Sequence, residues 1–252
     1  MKNILTIDVG NTNFKIIAYD EDMKIIFNKR VKSIRHGALI QAFFEDLKKS
    51  LDFQVDLVAI SCVIPAIIPA LEEGAQAVFA CPVIFATAER TDLDILLDDK
   101  EAIGQDFVAT AHYCVRAFNE ACIVIDMGSA NKIIVIEEPN MYLGGIISPG
   151  LQQQIDTYRE LLSHLPKVEL SLPSAYIGHN TVDAIKSGIA NVSYLGLLAL
   201  ADKMEIELGK TCRKIITGGY SNLFEIDEDK YTRIPDIVND GLYHMGIENF
   251  NK

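Results

Sequence analysis

Positive charge is scarce in this 252-residue chain: 23 lysines and arginines stand against 35 aspartates and glutamates, for a formal net charge of −12. A surface of that sign argues against a nucleic-acid or anionic-membrane partner, since each needs a positive field. An anionic small molecule remains possible where magnesium, backbone amides or a few basic side chains supply local compensation. Cysteine is also thin. The five, Cys62, Cys81, Cys114, Cys122 and Cys212, are odd in number and never spaced as C-x-x-C, which points away from a disulfide framework or a structural zinc site. The five histidines show no H-x-x-x-H or H-E-x-x-H spacing, so a zinc hydrolase is not indicated. No G-x-x-x-x-G-K-[ST] loop occurs, and a bound nucleotide would need another cradle. No apolar run approaches the length of a membrane span, and Met1-Lys2-Asn3 leads into a strand without the features of a signal peptide. A cytoplasmic location is expected.

What is present is a densely apolar globular composition, 49% hydrophobic, long enough for two compact halves. Alternation and turn residues predict three strands near 3–9, 13–20 and 24–31 as an antiparallel meander. A helix follows over 37–51, with Ala38, Leu39, Ala42, Phe43 and Leu47 on one face, then a buried strand at 56–61. A helix near 66–78, a strand at 82–86, an acidic stretch at 91–101 and a helix over 104–118 complete the first half. The second half opens the same way: Cys122 to Asn131 repeats apolar strand, Asp-x-Gly and small polar residues, which implies an internal duplication. Strands near 132–137 and 140–148, helices near 149–162 and 180–208, a strand at 214–217 before Gly218-Gly219, and a helix near 236–247 follow. The expected domains are 1–118 and 119–252, with one Asp-x-Gly turn on each wall of a cleft between them.

The chemistry concentrates in three acids. Asp8 ends a buried strand just before the turn Gly10-Asn11-Thr12, whose small residues let backbone amides approach an anion, and a carboxylate beside a phosphate implies magnesium. Taken alone, such a turn is more often a solvated hairpin. Asp106 opens a helix after Gly104, where the helix dipole favours its charge. Asp126 repeats the setting of Asp8.

The ordered set Asp8-Val9-Gly10-Asn11-Thr12, Ile60 to Pro65, Gly104-Gln105-Asp106, Asp126-Met127-Gly128-Ser129-Ala130, Gly144 to Gly150, Asn180-Thr181 and Thr217-Gly218-Gly219 resembles type III pantothenate kinases over nearly the whole chain. The resemblance implies a duplicated ribonuclease-H-like, actin-like ATPase fold of α/β class with an interdomain nucleotide cleft, and a homodimer. It also implies ATP-dependent phosphorylation of pantothenate or a related small alcohol, the first step of coenzyme A synthesis. By the same resemblance Asp8, Val9, Gly10, Asn11, Thr12, Asn13, Phe14 and Lys15 would cradle ATP with Mg2+ at Asp8, and Ser129 would contact the nucleotide. Asp106 would be the catalytic base, and Leu97, Gly104, Gln105, Asp106, Phe107 and Thr181 would line the acceptor site. Asp126 would hold a monovalent cation, K+ or NH4+.

Departures from the family pattern cluster at the acceptor. Phe107 replaces an arginine that can grip a carboxylate, and Leu97 replaces a pocket tyrosine. Loss of such an anchor costs on the order of 2–3 kcal/mol of binding. The alternative is therefore a re-targeted kinase or a non-catalytic, nucleotide-binding regulator or subunit. Lys132 follows the second acid turn, and two readings stand side by side: its ammonium replaces the monovalent cation, or it points to solvent.

Overall fold

The computed structural model describes residues 2–161 and 164–250. It divides into two units, Met1–Asn119 together with Asp236–Lys252, and Glu120–Pro235.

In the first unit the chain begins as expected. Strands β1 (Ile4–Val9), β2 (Asn13–Tyr19) and β3 (Ile25–Lys32) form an antiparallel meander. Strand β4 (Leu57–Cys62) then joins β1 in parallel, and β5 (Val83–Phe85) joins β4, giving the order β3-β2-β1-β4-β5. Every residue of β4 is buried, as a parallel strand covered on both faces requires. The two covering layers come from helices of different origin. Helices α1 (Ile40–Lys49) and α2 (Ile68–Phe79) pack with Leu5, Ile7 and Val9, while α3 (Gln105–Ala117) packs with Ile4 and Ile17 from the opposite face. Between α2 and α3, the acidic stretch holds a two-residue strand, β6 (Asp94–Ile95), and a short turn of 3-10 helix at Lys100–Ala102.

The face predicted for the first helix is corrected. A 3-10 turn occupies Gly37–Leu39, so α1 starts only at Ile40 and buries Ile40, Phe44 and Leu47, spaced by four and three, while Leu39 is 55% exposed. Phe43 packs only at the edge of this core.

The second unit repeats the plan. Strands β7 (Cys122–Met127), β8 (Ala130–Glu137) and β9 (Met141–Pro149) form an antiparallel meander, β10 (Arg213–Thr217) pairs in parallel with β7, and β11 (Tyr231–Arg233) with β10. Within this unit the order β9-β8-β7-β10-β11 matches that of the first, strand for strand. Helices α4 (Leu151–Leu161) and α5 (Thr181–Leu208) cover Ile123, Ile125 and Met127. Residue 162, the expected end of α4, lies outside the described residues. Asn180 caps α5 by accepting a hydrogen bond from the Asp183 amide at 2.9 Å.

Two further expectations change. The 28-residue α5 is long and apolar enough by length and composition to cross a membrane, contrary to the reading that no such run exists. It buries one stripe, Ile185, Ile189, Ala190, Leu197 and Ala201, and leaves Val192, Leu195, Leu200 and Ile206 exposed on its other faces. The final helix α6 (Ile237–Phe250), expected in the second domain, belongs to the first unit. Leu242 and Met245 join the α3 side of that core. Gly241 lies so close to α3 that a Cβ there would meet the Ala109 carbonyl oxygen at 1.9 Å. Buried Asn239 donates from Nδ2 to the Thr6 hydroxyl at 2.9 Å, and that hydroxyl donates to the Ile17 carbonyl at 2.9 Å.

Candidate active site

Asp8 is the penultimate residue of β1, and the chain turns at once. The Gly10 amide donates to the Asn13 carbonyl at 3.0 Å, closing a tight loop in which Asn11 and Thr12 are exposed. Val9 and Phe14 are fully buried, so they can offer a ligand only main-chain groups. Two residues that the sequence reading did not single out pin this turn. The Ser33 amide donates to the Thr12 carbonyl at 3.0 Å and its hydroxyl to the Gly10 carbonyl, while Arg35 Nη2 donates to the Asn11 carbonyl at 3.0 Å. Their signal was only their position, two strands after the turn. Lys15 forms an ion pair with Asp236, the residue preceding α6.

The end of β4 lies beside the end of β1, with Val9 in register with Cys62. The N-terminus of α3 is tied to the same edge, because the Cys62 amide donates to Gln105 Oε1 at 2.9 Å. Gln105, expected at the acceptor, thus uses its side-chain oxygen to anchor the helix. Burial pushes the Cys62 thiol up, and the nearby Asp8 carboxylate adds to that. Gly104 caps α3, and Asp106 in its first turn folds back so that a Cβ on Gly104 would lie 2.6 Å from Asp106 Oδ1. Phe107 follows in the same turn, half-buried, and Leu97 is half-buried between β6 and α3. Lys100 is spent on an exposed ion pair with Asp94 at 3.6 Å. The first unit therefore collects Asp8 to Lys15, Gly104 to Phe107 and Leu97.

Asp126, Ser129 and Thr181 belong to the second unit. Asp126 holds the position in β7 that Asp8 holds in β1, and the end of β10 runs beside it, with Thr217 in register. Gly218, at φ +88°, brings its backbone so near that a Cβ would sit 2.4 Å from Asp126 Oδ1. Lys132 does not point to solvent. Its Nζ lies 2.8 Å from Asp126 Oδ2, and the two side chains are 17% and 23% exposed. Ser129 sits in the β7–β8 turn, and Thr181 is exposed at the start of α5.

Among the described residues, no group of three or more His, Cys, Asp or Glu side chains converges as a metal cage. A lone carboxylate next to an open backbone turn still suits magnesium, which draws most of its ligands from water and phosphate. A monovalent cation at Asp126 does not fit the residues present, because an ammonium already stands at hydrogen-bond distance.

The model of the type III pantothenate kinase family matches residues 4–202. The chain belongs to that family. A type III pantothenate kinase of Exiguobacterium sp. strain AT1b is 32% identical over 231 residues, covering 87% of this chain and 88% of the relative. Another, from Exiguobacterium sibiricum, is 30% identical over 251 residues, covering 95% and 96%. Among solved structures, a Campylobacter jejuni protein described as a Baf family transcriptional activator superposes with a TM-score of 0.61 at 20% identity, covering 98% of this chain and all of that one. A ROK family glucokinase from Streptomyces griseus, in complex with glucose and AMPPNP, superposes with a TM-score of 0.55 at 11% identity, covering 98% and 99%. The fold is therefore the duplicated ribonuclease-H-like architecture of the actin-like ATPases, and membership places the chain among ATP-binding kinases of coenzyme A biosynthesis.

Proposed function

We propose that this chain is a cytoplasmic kinase that transfers the γ-phosphoryl group of ATP to the primary hydroxyl of pantothenate, forming 4'-phosphopantothenate. The observation that carries this reading is the anchoring of Asp106 through Gln105 to the same sheet edge that carries Asp8 and the Gly10–Asn13 turn. Phosphoryl transfer asks the protein for position and charge neutralisation more than for covalent chemistry.

Backbone amides of the turn and Lys15 bind phosphate oxygens, and Asp8 would hold Mg2+, which would neutralise charge on the phosphates. Asp106 accepts the proton of the attacking hydroxyl. The α3 N-terminus complements its negative charge. Leu97, Gly104 and Phe107 line the acceptor site. The protein pairs as a homodimer through α5, whose Val192, Leu195 and Ile206 form an exposed apolar stripe at helical spacing, 68%, 47% and 70% accessible.

Purified protein with MgATP should release ADP when pantothenate is added, and Asp106→Asn should lower kcat by at least about a hundredfold with ATP affinity retained. Equal turnover by the variant would refute the assignment.

A second reading follows from Phe107. An apolar ring stands where a carboxylate anchor is expected, so an acceptor without that carboxylate would be the better substrate. Pantothenamides phosphorylated with a kcat/KM well above that of pantothenate would favour it. ATP-dependent stabilisation with no turnover on either would favour a nucleotide-binding regulator.

A further inference from the structure

The duplicated hairpins each set a lysine directly opposite their acid: Asp8 faces Lys15 across β1 and β2, and Asp126 faces Lys132 across β7 and β8. Lys15 forms an ion pair with Asp236, outside its own hairpin, and Lys132 bonds the acid it faces, at 2.8 Å. Opposed side chains in an antiparallel pair start from Cβ atoms about 4.5–5.5 Å apart, so strand register places this ammonium within reach of the carboxylate.

Asp126 Oδ2 has the ammonium, and Oδ1 lies close to Gly218 and Gly128, where added Cβ atoms would sit 2.4 and 3.1 Å away. A potassium ion entering here would either displace a tethered cation or sit within a few ångströms of it, and like charges that close repel strongly. The tether also keeps the local cation concentration high whatever the bath contains.

We propose that Lys132 is the resident cation of the second acid turn, so that nucleotide binding by this chain is independent of potassium and ammonium. The proposal rests on the kinase reading only in taking a nucleotide as the ligand.

The test is calorimetric titration of MgADP into the full-length protein, in choline chloride and in potassium chloride of equal ionic strength. The wild-type dissociation constant should differ by less than about twofold between the two salts, because only general screening remains. Lys132→Thr should bind about tenfold more weakly in choline and recover most of that in potassium or ammonium. Lys132→Arg, which keeps the charge, should stay near wild type without potassium.

A wild-type affinity that tightens more than about fivefold in potassium overturns the proposal. So does a folded Lys132→Thr that binds as wild type does in choline. Should Lys132→Thr fail to fold, the wild-type comparison decides by itself. If MgADP binds nowhere, melting of the ligand-free protein in the same salts decides instead: a potassium-specific rise in wild type refutes the proposal, and a rise in Lys132→Thr alone supports it. Failure of the kinase reading looks different, since MgADP would bind with the expected salt pattern while pantothenate produced no ADP.

Discussion

Tyr19 donates its hydroxyl proton to Asp240 Oδ1 at 2.7 Å, joining the end of β2 to the first turn of α6. Burial pushes the Asp240 carboxyl up to about 6, against the lowering effect of the Tyr19 hydrogen bond and of Lys15, and the nearby Asp236 adds to the rise. Burial and the same Asp240 contact push the Tyr19 hydroxyl above its ordinary value. A carboxyl that holds its proton more tightly folded than unfolded stabilises the fold below about pH 4, and that stabilisation is lost as pH rises to about 6.

Asp240→Asn removes the cost of the buried charge while keeping an acceptor for Tyr19. The variant should be more stable than wild type at pH 7.5 by about 1–2 kcal/mol, discounted for partial solvent access, with the gain vanishing by about pH 4. Urea titrations across this range measure it. A gain independent of pH would exclude the titration as its origin.

Gly218→Ala places a methyl group against Asp126 Oδ1 and the Met127 backbone at an unfavourable φ. A loss of about 2–4 kcal/mol in unfolding free energy is expected, since the Met127 backbone cannot swing aside and the Asp126 side chain is held by Lys132. Chemical denaturation of the variant gives the number directly.

Asp236→Ala frees Lys15 from its ion pair. If that pair aims the ammonium at the phosphate turn, KM for MgATP should rise about three- to tenfold with little change in kcat, and Asp236→Glu should restore most of it. An unchanged KM would show that the pair serves the fold alone.

The duplication was legible in the sequence because each half announces itself with an apolar strand, an Asp-x-Gly and a polar turn, and the strand order repeats accordingly. Local pattern could not say which core α6 fills. Apolar spacing shows that a helix needs a partner but does not name it, and contacts such as Asn239 with Thr6 span 233 positions. The face of α1 was misjudged for a smaller reason: one 3-10 turn rotates every residue after it. At the site, Asp8 and Asp126 were readable from their strand ends and Asp106 from its helix start, whereas Ser33, Arg35 and Asp236 act through long-range bonds to main chain or to lysine that no motif encodes. The fate of Lys132 turned on cross-strand register, which is set by the length of the β7–β8 turn.

Because α6 completes the first core, the half whose strands leave the ribosome first is finished last. Residues 120–235 form one uninterrupted stretch, and the opening half must wait for all of it, with the Ala109 surface of α3 bare until Gly241 arrives. Ending translation at residue 235 would leave that half with α3 alone on one face of its sheet while leaving the inserted half whole, so α6 is the step that completes the first core.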